Sequence, residues 1–195
     1  MISGIVLAAG ASSRMGRAKQ LLPFGSSTVL GCVLQAAAAS GLGEVVVVLG
    51  ENASEIRRRA DLRGVSVLTN PQPRAGLSSS IRTGLHGISG DAQGAVFLLG
   101  DQPLVDASVV NALLDAFRGS GAPLVVPEYA GHRGNPVLVG RCLFPQLAAV
   151  RGDRGARGLI RDFPHLVRRV PVDTEAVLVD IDTQRDYLEA LAQAL

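Results

Sequence analysis

The stretch Ile2–Lys19, ISGIVLAAGASSRMGRAK, decides the fold class, because an apolar, strand-like run leads directly into a glycine- and serine-rich turn. Glycine lets the backbone adopt positive φ and approach an anion closely, and amides at the start of a following helix point their N–H groups at negative charge. Arg14 and Lys19 add two cationic side chains to this turn. The pattern predicts an α/β protein whose first loop binds phosphate groups, as in a nucleotide.

Two better-known phosphate loops do not fit this stretch. Five residues separate Gly10 from Gly16, and Arg17 follows, which breaks the G-x-x-x-x-G-K-[ST] pattern of an NTPase P-loop. The chain has no G-x-G-x-x-G, so dinucleotide binding lacks its main support in the sequence. It also has no G-x-S-x-G elbow, which weakens a serine-hydrolase interpretation.

The composition predicts a globular protein with an aliphatic core. Hydrophobic residues make up 47% of the 195 residues but aromatic residues only 4%, so stacking platforms for single-stranded nucleic acid are not indicated. A formal net charge of +2 is too small for a general polyanion-binding surface, so any phosphate site has to be local.

Without a membrane-spanning run or a signal-peptide pattern, we expect a cytoplasmic protein with no nucleic-acid or membrane partner. Cys32 and Cys142 are far apart, and the three histidines lack metal-ligand spacing, so neither a disulfide framework nor zinc is indicated.

Short β-branched runs alternate with segments of helical period, which predicts successive βαβ units and a mainly parallel sheet. The carboxyl ends of parallel strands share one edge of the sheet, and ligands bind there near the point where the strand order reverses. Val167–Val172 and Ala176–Ile181 predict two further strands, added antiparallel beside the core. The predicted core strands are Ile2–Ala8, Glu44–Leu49, Val65–Thr69, Ala95–Leu99 and Leu124–Pro127, and the predicted helices are Thr28–Ser40, Ser54–Ala60, Ser78–Gly87, Ala107–Arg118, Leu143–Ala149, Ala156–Asp162 and Thr183–Leu195.

Acidic residues follow two of the apolar runs. Asp101 lies in the segment Ala95–Pro103, just after the apolar run, where it can bind Mg²⁺ beside the glycine-rich loop or instead cap the next helix or serve a turn. Asp180 and Asp182 are two residues apart on an extended segment, so they share a face and either can reach one metal ion. The alternative is that Asp182 or Thr183 caps the last helix.

Three more segments are candidates for ligand contact. Gly76–Arg82 offers several hydroxyl groups, either as helix caps or as donors to a base or phosphate. Gly131–Pro136 and Gly152–Arg157 carry basic side chains on glycine-rich turns. These turns suit an anionic second substrate, and ordinary surface turns are the alternative.

Five motifs, taken together and in this order, resemble the MobA-like nucleotidyltransferase family, and most closely its molybdenum cofactor cytidylyltransferase branch. The resemblance runs from Ile5 to about Tyr187. It implies a Rossmann-like, three-layer α/β/α nucleotidyltransferase with a mainly parallel sheet, a single domain over residues 1–195, whose amino-terminal half binds the nucleotide and whose carboxyl-terminal half binds the acceptor. The motifs are LAAGASSRMG with Lys19, GDQP at Gly100–Pro103, RGNP at Arg133–Pro136, GDRGAR at Gly152–Arg157 and DIDT at Asp180–Thr183.

The resemblance also implies a reaction: CMP passes from CTP to the terminal phosphate of molybdopterin, pyrophosphate is released, Mg²⁺ is the cofactor, and a molybdoenzyme or its chaperone is a further partner. Arg14, Lys19 and Asp101 would be catalytic, and Asp101 and Asp182 would bind the metal. The nucleotide would contact Leu7, Ala8, Ala9, Gly10, Ser12, Arg14, Lys19, Ser79, Ser80 and Asp101, and the acceptor would contact Arg133, Asn135, Arg154 and Arg157.

Three positions qualify this assignment. The guanylyltransferase branch resembles LAGG followed by GDMP, whereas Ala9 and Gln102 are as in enzymes that use CTP. Much of the cytidylyltransferase branch reads RGHP, and Asn135 replaces that histidine here, which removes an acid/base role but leaves hydrogen bonding. Alternatives are a GTP-dependent enzyme, transfer to a sugar phosphate, methylerythritol phosphate or phosphocholine, and a non-catalytic protein that delivers the cofactor.

Overall fold

The computed structural model describes residues 1–10 and 18–194, so Ser12 and Arg14 of the first loop lie outside the described residues. Within these ranges, eight strands form one mixed sheet and two short strands pair in a separate antiparallel ribbon. The strands are β1 (Ile2–Ala8), β2 (Pro23–Phe24), β3 (Ser27–Thr28), β4 (Glu44–Leu49), β5 (Ser66–Thr69), β6 (Gly94–Leu99), β7 (Leu124–Tyr129), β8 (His132–Arg133), β9 (Val137–Gly140) and β10 (Val167–Pro171).

The large sheet has the order β10-β7-β9-β6-β1-β4-β5, with β8 paired to β7. Strand β1 is an interior strand and pairs in parallel with β4 on one side and β6 on the other. Strand β9 is antiparallel to both β6 and β7, while β10 is parallel to β7. The chain moves outward from β1 first to β4 and later to β6, so the strand order reverses at β1.

Helices cover both faces of the sheet, which confirms the predicted three-layer α/β/α architecture. One face packs against α1, α2 and α4 through a cluster that contains Val6, Leu30, Ile56 and Val110. The other face packs against α3, α5 and α6. The helices are α1 (Val29–Ala38), α2 (Ala53–Arg59), α3 (Leu77–Gly87), α4 (Ala107–Ser120), α5 (Phe144–Ala149), α6 (Gly155–Asp162) and α7 (Gln184–Gln193).

The buried strands explain why the sequence folds this way. Val46 to Leu49 of β4 are each completely inaccessible to solvent, because this strand has helices on both faces. A strand in that position reads as a continuous apolar run rather than as an alternating one. In the described part of the chain, every helix is too short or too polar to cross a membrane.

Two predictions for the carboxyl-terminal part were wrong. The segment Ala176–Ile181 is not a strand: a 3₁₀ turn, Glu175–Leu178, starts where the Thr174 side chain accepts a hydrogen bond from the Ala176 amide. Ala176 and Val177 are both buried and adjacent, which a turn allows and a half-exposed strand does not. Strand β10 is parallel to its neighbour, not antiparallel. In the described ranges, β8 and β9 are the strands that run antiparallel to their neighbours in the large sheet, and neither was predicted from the sequence.

Candidate active site

The candidate site lies at the carboxyl edge of the sheet, where β1 and β6 end side by side. Gly100 follows β6, and its amide donates to the Leu7 carbonyl at 2.9 Å. A Cβ at this position would lie 2.9 Å from Ala8 Cβ and 3.1 Å from that carbonyl, so only glycine fits without displacing β1. Gly100 therefore sets the close approach of the two strand ends, at the reversal point where open α/β sheets bind ligands.

The backbone that follows β1 is held from two sides. Gln20 is buried and donates from Nε2 to the carbonyls of Ala8 and Gly10, each at 3.3 Å. Gly50, at the end of β4, is so close that an added Cβ would lie 2.3 Å from the Ala9 carbonyl oxygen. Neither residue could be found from the sequence, because neither belongs to a recognisable motif. Together they position the Ala8–Gly10 backbone, which we predicted to contact a nucleotide.

Lys19 joins two of the predicted carboxylates. Its Nζ lies 2.6 Å from Asp101 Oδ2 and 2.8 Å from Asp182 Oδ1. The Lys19 side chain is 9% exposed. Burial alone would lower the pKa of this ammonium, but the charges of Asp101 and Asp182 and their hydrogen bonds outweigh it and raise the pKa above the ordinary 10.5. Lys19 therefore carries its charge throughout the physiological range.

Residues far apart in the chain assemble this cluster. The Ile181 amide donates to the Asp101 carbonyl at 3.0 Å, which fixes the Asp180–Asp182 segment beside the end of β6. Gln102 is buried and donates to Asp180 Oδ1 at 2.6 Å. Burial, followed by the charge of Asp101, raises the pKa of Asp180 despite this hydrogen bond. The three carboxylates and Lys19 form one electrostatic unit.

Of the two capping alternatives, the one for the last helix is confirmed for Thr183 but not for Asp182, and the one for Asp101 is wrong. Thr183 caps α7 in a capping box with Asp186, so Asp182 is not the cap. Asp106 caps α4 by accepting from the Ser108 and Val109 amides, so Asp101 is not its cap either. Asp101 and Asp182 instead direct their carboxylates at Lys19.

Asp101 and Asp182 also fit a divalent metal ion by the chemistry of their donor atoms. Carboxylate oxygens are the ligands that Mg²⁺ prefers, and Mg²⁺ commonly takes one or two from protein while phosphate and water complete its shell. The ammonium of Lys19 shows that a cation is stable between them. In the described ranges, no three His, Cys, Asp or Glu side chains group so as to hold a metal ion by themselves.

A cavity of about 330 Å³ opens beside this cluster. It contains five of the residues predicted to contact a nucleotide, and the helix α3 forms its far wall. Its lining residues are Leu7, Ala9, Gly10, Glu51, Pro73, Arg74, Gly76, Leu77, Ser80, Leu99, Asp101 and Asp153.

The two predicted serines have different surroundings. Ser79 is buried, accepts from Asn70 Nδ2 at 2.7 Å, and has the carbonyls of Gln72 and Gly76 as its acceptors at 2.9 and 2.8 Å. It therefore stabilises the loop before α3 and does not line the cavity. Ser80 accepts from the same Asn70 amide at 3.0 Å and does line the cavity.

A second, smaller cavity of about 130 Å³ adjoins the first and shares Leu7, Leu77, Leu99 and Asp153 with it. Three of the predicted acceptor residues, Asn135, Arg154 and Arg157, line it over a floor that includes Phe97 and Val137. Two guanidinium groups on an apolar floor suit a flat, anionic molecule.

Arg133, the fourth predicted acceptor residue, lies on β8 and is not among the lining residues. Its pKa is lowered by burial and then by the positive charges of Arg157 and Arg169, so Arg133 lies close enough to Arg157 to sense its charge. Gly134 in the same motif is required by packing, because a Cβ there would lie 2.4 Å from the Val177 carbonyl oxygen.

The fold and the site define a three-layer α/β/α protein with a cavity at the carboxyl edge of its sheet, beside the cluster of Lys19, Asp101 and Asp182. The chain belongs to the MobA-like NTP transferase domain family, whose model matches residues 4–170. This confirms the resemblance found in the sequence, and it makes the protein a nucleotidyltransferase by family.

Two curated relatives match nearly the whole chain. Nicotine blue oxidoreductase from Paenarthrobacter nicotinovorans is 32% identical, over 93% of this chain and 92% of the relative. The molybdenum cofactor cytidylyltransferase of Escherichia coli K12 is 25% identical, over 97% of this chain and 95% of the relative.

Solved structures are similar over almost their full length. The Rv0371c homologue from Mycobacterium sp. strain JC1 is 40% identical and superimposes with a TM-score of 0.89, over 99% of this chain and 96% of that one. Rv0371c from Mycobacterium tuberculosis, solved as a complex with manganese, is 36% identical with a TM-score of 0.86, over 98% of both chains.

Proposed function

We propose that this protein transfers CMP from CTP to the terminal phosphate of molybdopterin or the molybdenum cofactor and releases pyrophosphate, with Mg²⁺ as its cofactor. One observation carries the proposal: Asp101, which pairs with Lys19, lines a cavity of about 330 Å³ that adjoins a smaller cavity lined by Arg154 and Arg157. The proposal is also supported by the relative that is named molybdenum cofactor cytidylyltransferase. The proposed place of action is the cytoplasm, and the proposed recipient of the product is a molybdoenzyme or its chaperone.

The larger cavity is the proposed CTP site. The backbone of Ala9 and Gly10 would face the base, and the Ala9 methyl group would narrow the cavity against a purine. Gln102 bears on base selection only indirectly, because it is 2% exposed and bonded to Asp180 rather than directed into the cavity. Ser80 would lie beside the base or ribose, while Ser79 would support it through the loop.

The proposed chemistry requires positioning and charge neutralisation rather than a general base, because the terminal phosphate of a pterin acceptor is already anionic at neutral pH. Lys19 would donate to the triphosphate and neutralise the charge that develops on pyrophosphate. Asp101 and Asp182 would hold Mg²⁺, which supplies further neutralisation at the phosphate oxygens when it is bound. Arg154 and Arg157 would orient the acceptor phosphate for in-line attack on the α-phosphorus. Ser12 and Arg14 remain proposed phosphate contacts.

The test is pyrophosphate release by the full chain, measured with each of the four nucleoside triphosphates, with and without molybdopterin and Mg²⁺. We expect release with CTP only when both molybdopterin and Mg²⁺ are present. The variant Asp101→Ala is expected to lose about 100-fold or more in turnover with an unchanged circular dichroism spectrum. Asp162→Ala is the matched control, since Asp162 is a surface carboxylate that pairs with its neighbour Arg161. Near-normal release by Asp101→Ala would disprove the metal role of this residue.

A redox reaction is the second candidate, because one relative is named as an oxidoreductase. It has less support in the molecule, since the chain has no G-x-G-x-x-G dinucleotide motif. Oxidation of NADH or NADPH by the same preparation with an added heteroaromatic dye, together with no pyrophosphate release from any triphosphate, would favour it over transfer. Pyrophosphate release with a sugar phosphate or methylerythritol phosphate would support nucleotidyl transfer but show that the acceptor is not molybdopterin.

A further inference from the structure

The turn that carries Arg154 is attached directly to the start of helix α3. The Leu77 amide donates to Asp153 Oδ1 at 3.0 Å, and the Ser78 amide donates to the Gly152 carbonyl at 3.0 Å. The first amides of a helix have no partner within the helix, and a cap normally comes from the residue just before it. Here the residue before α3 is Gly76, which has no side chain to donate or accept, so Asp153 supplies the cap from a distant part of the chain.

The close fit of this contact requires two glycines. Gly76 has φ of +87°, and a Cβ on it would lie 2.7 Å from both Asp153 Oδ1 and the Gly152 carbonyl carbon. Gly155 has φ of +49°, and its Cβ would lie 2.8 Å from Leu77 Cδ2. One turn further along α3, Arg82 donates to the Val150 carbonyl at 3.0 Å. The turn and the helix therefore pack as one unit.

This unit is shared by the two cavities. Leu77 and Asp153 line both of them, while Gly76 and Ser80 line the larger one and Arg154 and Arg157 line the smaller one. A molecule that moves the start of α3 therefore also moves the arginine turn, because the Asp153 cap connects the two.

We propose that Asp153 is a positioning residue that couples the two cavities: it caps α3 and so holds the wall of one cavity and the arginines of the other in a single arrangement. This rests on the proposed function for the identity of the two ligands. Direct binding of either substrate by the Asp153 carboxylate is disfavoured, because both substrates are polyanions and Oδ1 is already engaged by Leu77. A carboxylate is, however, well suited to the positive end of a helix.

The experiment compares Asp153→Ala with Asp153→Asn in the full chain, because the asparagine amide oxygen still accepts from the Leu77 amide. Steady-state assays give kcat and the KM of CTP and of molybdopterin, and hydrogen exchange by NMR reports the Leu77 and Ser78 amides without ligand. We expect Asp153→Ala to raise both KM values by about fivefold, the equivalent of one lost hydrogen bond, and to expose both amides to exchange. Asp153→Asn is expected to stay within about twofold of the wild type. Asp162→Ala, on the same helix as Arg157, is the control.

Other outcomes overturn the proposal in distinguishable ways. If both Asp153 variants raise only the KM of molybdopterin, the carboxylate contacts the acceptor and does not act through α3. If Asp153→Ala lowers only the melting temperature, the role is structural. If the wild type uses another nucleotide or acceptor, the proposed function fails, and the same comparison with that pair still decides the role of Asp153. If no pair is turned over, calorimetric binding of CTP with Mg²⁺ replaces the KM of CTP, and unchanged affinity in Asp153→Ala overturns the coupling.

Discussion

Lys19 is the only lysine among the 19 Lys and Arg residues of this chain. Its compact ammonium reaches carboxylates from two different segments, Asp101 and Asp182, whereas the planar fork of arginine suits a single carboxylate or phosphate. A buried ammonium is tolerated only when it is well paired, so the two carboxylates and the lysine stabilise one another. In this arrangement Lys19 and the proposed divalent metal ion would compete for the same carboxylate oxygens.

That competition predicts that replacing Lys19 strengthens metal binding but slows turnover. In Lys19→Gln the positive charge beside Asp101 and Asp182 is removed, so Mn²⁺ should bind the nucleotide-free protein about tenfold more tightly, a change of about 1.4 kcal/mol. Turnover should nevertheless fall by about 100-fold or more, because the charge that faces the pyrophosphate is lost. Electron paramagnetic resonance of free Mn²⁺ measures the binding, and pyrophosphate release measures the turnover.

The control for this prediction is the double variant Lys19→Gln with Asp182→Asn, which removes one proposed metal ligand. Its Mn²⁺ affinity should fall back below that of Lys19→Gln. If Lys19→Gln binds Mn²⁺ no more tightly than the wild type, the metal ion and the ammonium do not share these carboxylates.

For individual residues, the sequence showed which side chains to consider, but not which groups those side chains contact in the fold. Lys19, Asp101 and Asp182 could be singled out from the sequence because each belongs to a motif, and the two aspartates also follow apolar runs. Asp153 was missed as a helix cap, because a sequence reveals only caps that lie one to three residues before their helix. Gln20 was missed because nothing in its neighbourhood indicates that its amide turns back to the Ala8 and Gly10 carbonyls.

At the scale of elements, the ends of three adjacent strands, β4, β1 and β6, contribute to the shape of the larger cavity, the proposed CTP site. Strand β4 contributes through Gly50, which contacts the Ala9 backbone more closely than any residue with a Cβ could. Ala9 is itself in the cavity wall. The spacing between β1 and β4 at this edge therefore sets the position of the backbone that would face the base.

Gly50→Ala should damage nucleotide binding although residue 50 does not line the cavity. The added methyl group meets a carbonyl oxygen rather than a flexible side chain, and overpacking of this kind costs about 1–3 kcal/mol. If Ala9 moves to relieve it, the KM of CTP should rise about tenfold with a smaller change in kcat. Steady-state kinetics measure this, with Gly90→Ala as control because its Cβ would meet nothing within 4 Å. An unchanged KM in Gly50→Ala would show that Ala9 does not position the nucleotide.

Most elements of the first half could be predicted, because buried parallel strands and amphipathic helices leave strong patterns. The errors concentrate between residues 132 and 181. Strand β9 has only four residues, Val137–Gly140, and follows directly on a motif rich in glycine and proline, so its apolar run is too short to stand out. The segment Ala176–Ile181 has the composition of a strand, but Ile181 is held by a hydrogen bond to the loop after β6 instead of by a sheet partner.

At the scale of the whole molecule, the site depends on the return of the chain's last segment to its first. Ile181 is fully buried in a cluster with Leu22 and Phe24, which follow Lys19, and with Tyr187 of α7. The Tyr187 hydroxyl also donates to the Pro23 carbonyl at 2.6 Å. The carboxyl-terminal segment thus brings Asp182 to Lys19 through a small core of its own, outside the two large clusters on the faces of the sheet.

This architecture predicts one cooperative unfolding transition, as expected if residues 1–195 are a single domain. Calorimetry should show one peak of about 140 kcal/mol near 60 °C, with equal calorimetric and van't Hoff enthalpies.

Ile181→Ala creates a cavity that costs about 2–5 kcal/mol, so the midpoint should fall by roughly 10 °C while the peak stays single. Turnover should fall as well, because Asp182 loses its support. Leu188→Ala, which truncates a side chain that is 57% exposed on α7, should change neither the midpoint nor the turnover appreciably. A separate low-temperature peak in Ile181→Ala would instead show that the carboxyl-terminal segment unfolds independently, and that the nucleotide half remains folded without it.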